Sequence, residues 1–279
     1  MRNDTMTTWK RIRKIAVWGV FLSILCYALW FTTRVAQQDD NWKTGYQRLP
    51  EIHLSGDTLI IEGMRDFRYD ENGNVAVARY IDRHYVLSQL QRVWFGLSHF
   101  GDYGLAHAFA SFEFSDGQFL AVSIEARLRE DQNEYSPLAG ALREYTKFVV
   151  LASEEDVIGL RSFVRQEPLY LYSLNGSALQ GQALLLNFLR RADNLRHTPD
   201  FYNTLTDNCL TGLLAESGRY NDLHHSLDYR ILLPGYADEV LFEHQLIGQG
   251  EPLEEIRAGA RINTSVSPDT HNYSILIRQ

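Results

Sequence analysis

The chain is poor in cysteine. Of its 279 residues only Cys26 and Cys209 carry thiols, and Cys26 lies inside an apolar run. A disulfide framework is excluded as the basis of the fold, and Cys209 has no evident partner. Positive charge is also scarce, with 27 Lys and Arg against 35 Asp and Glu and a net charge of −8. With no basic face beyond the N-terminus, a nucleic-acid binder is not expected. No Gly-rich phosphate loop, no zinc-spaced His/Cys/Asp/Glu set, no internal repeat and no low-complexity tract occurs. The pair His224-His225 could hold a metal only weakly, so neither a metal nor another cofactor is expected.

Charge is absent altogether from Ile15 to Phe31, after Lys10, Arg11, Arg13 and Lys14. Extended by Thr32 and Thr33, this run makes a helix of roughly 28 Å, enough for a bilayer core of ~30 Å. The basic flank belongs on the cytoplasmic side, which sends the remainder across the membrane to the outside. A cleaved signal peptide is the rival reading, but the run ends in Leu29-Trp30-Phe31 rather than in small residues. Nor does Leu22-Ser23-Ile24-Leu25 before Cys26 resemble a lipoprotein cleavage site. The expected organisation is a basic N-terminus over 1–14, an anchor over 15–33, a polar linker over 34–50 and a folded domain over 51–279.

Within that domain short strands alternate with helices. Val75 to Ile81, Trp94 to Phe100, Lys147 to Leu151 and Leu169 to Leu174 read as strands. Ser153 with Asp156 marks a helix start running to about Phe163, and Ser177 to Asn194 is an amphipathic helix. The clearest pair is Ala106 to Phe114 and Gln118 to Arg127, joined by Ser115-Asp116-Gly117, a loop suited to a type I turn with a G1 bulge. The register that opposes Ala108 to Ile124, Ala110 to Val122 and Phe112 to Leu120 gives one wholly apolar face, and a one-residue slip would destroy it. On the other face that register sets His107 across from Glu125, within reach of an imidazole–carboxylate hydrogen bond.

Cys209 follows Asp207-Asn208, residues that cap helices, so the thiol is expected in the first turn of a helix. There the macrodipole and unpaired N–H groups favour the thiolate. A free thiol is uncommon in an oxidising compartment without a reason. The constellation is then a nucleophile at Cys209, a base at His107 and an orienting acid at Glu125. A helix carrying Cys against a strand carrying His is the papain-like arrangement, with the chain order circularly permuted because the histidine comes first. The backbone N–H of Cys209 and a side-chain amide such as Asn208 would form the oxyanion hole.

Several stretches together resemble the Lnb-type N-terminal periplasmic domain family: AHAFASFEF from Ala106, SIEAR from Ser123, Tyr135-Ser136, Glu155-Asp156-Val157-Ile158 with Leu160-Arg161, Leu169-Tyr170-Leu171-Tyr172, and Tyr202 through Asn203 to Cys209. Arg65-Asp66-Phe67-Arg68-Tyr69 and Leu233-Pro234-Gly235-Tyr236-Ala237-Asp238 look like its flanking motifs. The resemblance implies an α+β fold with a permuted, papain-like (NlpC/P60-type) antiparallel sheet and packed helices, preceded by one transmembrane helix. It implies a lipoprotein N-acyltransferase-like activity that takes an acyl chain from a phospholipid and delivers it to the amine of a lipoprotein. The family's cysteine, histidine and acid map to Cys209, His107 and Glu125, with Arg127, Tyr135, Tyr202, Asn203 and Asn208 as supporting positions.

The match has departures. The family often has two threonines after the cysteine, whereas here Leu210 precedes Thr211. Its aromatic-Trp-Gly element appears as His99-Phe100-Gly101. Lnb-type acyltransferases carry further membrane helices after this domain; this chain does not, which leaves a place for partner membrane proteins. The same three residues would also serve a cysteine peptidase or amidase acting on cell-wall peptides or proteins, or be retained in a non-catalytic tethered binding domain.

Overall fold

The computed structural model describes residues 2–38, 41–102, 104–217 and 228–279. It divides into two units, residues 1–36 and 37–279. The first is dominated by helix α1 (Arg2–Thr33), whose segment Arg11–Thr33 is long and apolar enough to cross a membrane.

The second unit is α+β. Its strands are β1 (Glu51–Ser55), β2 (Thr58–Arg65), β3 (Arg68–Tyr69), β4 (Val75–Val77), β5 (Tyr80–Val86), β6 (Leu90–His99), β7 (Ala106–Phe114), β8 (Phe119–Arg127), β9 (Thr146–Ala152) and β10 (Leu169–Ser173). The main sheet runs β1-β2-β9-β8-β7-β6-β10, with β5 also on β2. It is antiparallel except where β2 meets β9 at Arg65↔Ala152. The stretch Val75 to Ile81, expected as one strand, is two. β4 pairs with β3, and β5 crosses to β2. Arg79 lies at the changeover, with its guanidinium on the Asp66 carboxylate.

Helices cover both faces of the sheet. On one face the predicted apolar set Ala108, Ala110, Phe112, Leu120, Val122 and Ile124 packs with α4 (Ala178–His197) and α5 (Cys209–Glu216). On the other, Phe109, Ala121, Phe148 and Val150 pack with α3 (Glu154–Gly159) and with Tyr273 and Ile277 near the C-terminus. The helix starts follow the sequence signals. The Ser153 side chain accepts from Asp156 N, and Ser177 forms a capping box with Gln180. After Gly159 the chain continues as a π-type turn over Leu160–Val164. Asp156 does not reach back to its cap. Its carboxylate receives the buried Arg65 guanidinium at 2.9 and 3.0 Å, together with Tyr69 Oη and Phe67 N.

The expected linker over 34–50 is in large part held by the domain. Thr146 Oγ1 donates to Gln37 O, and Arg127 donates to the carbonyls of Gln38, Tyr46 and Gln47. The Arg127 guanidinium also lies 4.2 Å over the Trp42 ring, which is buried. Polar composition concealed this, because a planar five-donor guanidinium can collect main-chain carbonyls from a segment with few apolar side chains.

One glycine sets the packing beside the hairpin. Gly96 in β6 pairs with Phe109, and a Cβ there would lie 2.2 Å from the ring of that fully buried residue. The Phe109 ring stacks in turn on His107, with centroids 6.3 Å apart. Gly96→Ala should therefore destabilise the domain by ~1–3 kcal/mol through overpacking. In a thermal melt it should lower the Tm, and adding Phe109→Leu should recover part of the loss. Additive losses in the double variant would disprove the contact.

Candidate active site

The hairpin forms in the predicted register, with Ala110↔Val122, Ser111↔Ala121, Phe112↔Leu120 and Glu113↔Phe119. Phe114 N donates to Gln118 O across it, so the even-numbered N–H groups of β7 face β8. A continuous ladder would give Ala108 N–H to Ile124 O. Instead the paired register stops at Ala110, and Ala108 N–H donates to Cys209 Sγ at 3.5 Å. The strands part here, and the thiol takes the acceptor position left vacant. Helix α5 packs on the Ala108 face, whereas His107, Ser123 and Glu125 point to the opposite face. The parting lets groups from the two sides meet.

Cys209 is the first residue of α5 and is only 5% exposed. Its helix start is closed by a full capping box. Asn208 Oδ1 accepts from Leu210 N and Thr211 N, while Asn208 N donates to Thr211 Oγ1. The retained threonine thus has a local structural task. Asn208 Nδ2 donates to Thr204 O, so this amide serves the turn rather than an oxyanion hole. One turn along α5, a Cβ on Gly212 would lie 2.5 Å from Ile124 Cδ1, which shows how closely the helix seats on β8.

His107 Nε2 is 2.8 Å from Ser123 Oγ, Ser123 Oγ donates to Glu125 Oε1 at 3.0 Å, and the direct His107 Nε2–Glu125 Oε1 separation is 3.5 Å. The acid lies where the register predicted, but a hydroxyl bridges it to the imidazole. Ser123 was missed. The available signal was its spacing of two residues from Glu125, which puts both on one strand face. Arg161, from the π-type turn, brings a guanidinium nitrogen within 3.5 Å of Glu125 Oε1. With Nε2 engaged by Ser123 and Glu125, Nδ1 is the ring nitrogen left to face the thiol, whose proximity is among the causes that raise the imidazole pKa.

The charges follow from these contacts. Burial alone would raise the Cys209 thiol pKa. The hydrogen bond and charge of His107, with N–H groups of Ala108 and Leu210, outweigh it and hold the thiol below its ordinary value. Burial and Arg161 press the His107 pKa down, but the bonds and charges of Cys209 and Glu125 bring it above its usual value. Burial likewise acts to raise Glu125, yet His107, Arg161 and Arg65 hold it far below the carboxylate range. Each shift runs toward the charged form, so the arrangement favours a thiolate beside an imidazolium, backed by a carboxylate.

The remaining expected residues divide. The Tyr202 and Tyr135 rings meet edge to face with centroids 5.8 Å apart, and the Tyr135 hydroxyl lies 2.8 Å from Thr204 Oγ1. Tyr202 is buried, and burial with the nearby charge of Cys209 raises its pKa well above the ordinary value, which keeps it as an O–H donor of the kind a developing oxyanion needs. Asn203 braces the preceding turn, accepting from Leu205 N and Thr206 N and donating to Ala141 O. Arg127 is occupied with the 38–47 segment. Among the described residues, the group whose ligand atoms could surround an ion is Glu51, His53 and Glu62, all exposed, and Glu51 also pairs with Arg196 at 3.2 Å. His224-His225 lies outside the described residues.

A depressed thiol pKa leaves thiolate present well below the ordinary value of about 8.5, and it is lost only as pH falls through the lowered value. In a Cys26→Ser background, iodoacetamide should alkylate Cys209 readily near pH 6–7. His107→Ala removes the largest effect opposing burial and should displace the profile to higher pH, slowing the reaction near pH 7 by about tenfold for each pKa unit of displacement. Equal rates with and without the imidazole would refute the ion pair.

No curated protein and no solved structure matches the chain. The model of the Lnb N-terminal periplasmic domain matches residues 76–235, more than half of the sequence and the whole span from β5 past Cys209. The chain belongs to the Lnb N-terminal periplasmic domain family.

Proposed function

We propose that the protein is a membrane-anchored periplasmic cysteine acyltransferase of the lipoprotein N-acyltransferase type, held in the inner membrane by α1 with its N-terminus cytoplasmic. The observation that carries this reading is the thiol seated in the parting of β7 and β8, where it accepts from Ala108 N–H and has its pKa lowered by His107. On this reading the fold is a permuted papain-like one, in which the strands bearing the base and acid precede the helix bearing the nucleophile.

The chemistry needs no added group. The Cys209 thiolate attacks the carbonyl carbon of an acyl ester while Cys209 N–H and Tyr202 Oη stabilise the oxyanion. The ester C–O bond breaks, and the departing alkoxide takes the His107 imidazolium proton, leaving a thioester. An amine then attacks the thioester and gives a proton to His107. The C–S bond breaks, and the thiolate–imidazolium pair is restored. A cavity of about 540 Å³ adjoins α5, lined by Leu213, Leu214, Ala110, Val93, Phe95 and Leu246 among others. Its lining also includes Arg92, Asn175 and Gln180 and contains neither Cys209 nor His107, so it stands apart from the thiol.

Incubation of the reconstituted full chain with phospholipid should add one fatty-acyl mass to the peptide bearing Cys209, and an amine-bearing lipopeptide should discharge it. Cys209→Ala should abolish the adduct, and His107→Ala should slow its formation by ~10²–10⁴-fold. Peptide hydrolysis without any acyl adduct would replace the transferase by a peptidase or amidase.

A further inference from the structure

The end of the sheet that bears the thiol carries four exposed apolar side chains, although the most exposed one of the described domain, Leu179, stands at the start of α4. Two connections lie there, one on each side of the parted strands. The β8–β9 connection contributes helix α2 (Pro137–Ala141) with Leu138, which is 70% exposed. Thr204 Oγ1 donates to Pro137 O, so the Cys209 loop packs on α2 and sets Leu205, 55% exposed, beside it. On the other side, the β6–β7 connection presents Phe100 and Leu105, 52% and 39% exposed, with Phe100 N bonded to Leu105 O. Such side chains on a water-soluble surface cost free energy unless something covers them.

Covalent connection names the cover. Helix α1 ends at Thr33, and by Gln37 the chain is already bonded to the domain, through Thr146 Oγ1 at the start of β9. Only Arg34, Val35 and Ala36 intervene, a reach of roughly 14 Å between those two residues when fully extended. Thr146 lies at the same end of the antiparallel sheet as Ala106, Arg127 and the two apolar connections. A membrane-crossing α1 therefore holds this end of the domain at the bilayer. The charge there is not that of an anionic-lipid binder. Residues 128–145 contain Arg129 and Arg143 against Glu130, Asp131, Glu134 and Glu144.

We infer that Leu138 and Leu205 on one rim, and Phe100 and Leu105 on the other, insert into the interfacial region of a bilayer and dock the Cys209 end of the sheet on it. The docking is apolar and independent of anionic headgroups. It stands on the membrane-crossing reading of α1 and not on the chemistry of Cys209, so its test uses a chain without that thiol.

The full chain with Cys26→Ser and Cys209→Ser is given a single nitroxide at Leu138→Cys, Leu205→Cys or Phe100→Cys. The control is Asp116→Cys in the turn at the opposite sheet end. In phosphatidylcholine vesicles with a nickel chelate on both sides, the rim labels should collide several-fold more often with oxygen than with the chelate, and the Asp116 label the reverse. Replacing part of the lipid by phosphatidylglycerol should change neither. Because a nitroxide is itself apolar, Leu138→Glu with Leu205→Glu should abolish the oxygen preference of the label at Phe100→Cys. Rim labels as open to the chelate as the Asp116 label, or a Phe100 label indifferent to the double glutamate, would overturn the docking.

Discussion

The site depends on one unmade hydrogen bond. Ala108 N–H and Ile124 O are placed by register to pair, and they do not. An unpaired N–H inside a sheet must find another acceptor or lose the free energy of a buried orphan. Here the acceptor is Cys209 Sγ. A neutral thiol accepts weakly and a thiolate accepts well, so the interrupted ladder itself favours ionised sulfur. The same interruption resolves a geometric problem. A strand presents His107 and Ala108 to opposite faces, and a helix packed on the Ala108 side would be screened from the imidazole by a closed sheet. Opening the ladder removes that screen without bending either strand out of the core.

The charges around the opening form a balanced set. Arg161 is a cation, and the shifts favour an imidazolium at His107 and anions at Glu125 and Cys209. Each is removed from water, and each would be expensive alone. Arg161 without Glu125 would drive the imidazolium towards neutrality, and Glu125 without the two cations would be pushed up by burial. The set sums to zero only while the thiol is ionised. Arg65 also helps to hold Glu125 low, but its own charge is matched by Asp156. The motif residues Arg65, Asp156 and Arg161, dispersed along the sequence, thus meet in one electrostatic device behind the imidazole.

How far this could be read from the sequence varied with the range of the cause. The hairpin was legible because its cause is local: a three-residue turn with glycine and a period-2 apolar pattern that admits one register. The capped start of the Cys209 helix was legible for the same reason. What escaped was produced by contacts between distant segments. Extrapolating the register put His107 directly on Glu125, whereas the parted strands insert Ser123 between them. The segment over 34–50 looked like a free linker because its polar side chains carry no sign of Arg127, 80 residues or more away from the carbonyls it collects. Asn208 looked like an oxyanion donor by neighbourhood, but an N-cap must turn its amide oxygen to the helix, and its nitrogen then finds Thr204 O. The candidate that remains, Tyr202, is brought towards Cys209 because the chain from Asp200 to Asp207 folds back on β9, with Tyr202 N donating to Tyr145 O.

That fold-back explains why a thiol can be held at the opening at all. Lys147, 3% exposed, donates to Asp207 and to Asp200, and Arg191 of α4 grips Asp207 from the other side. Asp207 immediately precedes the capping pair, so the helix start is fixed through a buried charge rather than through the thiol. The next residue of β9, Phe148, pairs with Glu125. Consecutive residues of a single strand therefore set the two ends of the candidate site, one through an ion pair to the Cys209 loop and one through the backbone ladder to Glu125. Because β9 is held between β8 and β2 in the sheet, neither end can drift without dragging the other. The separation between sulfur, imidazole and carboxylate is thus a property of the sheet rather than of the loops that display it.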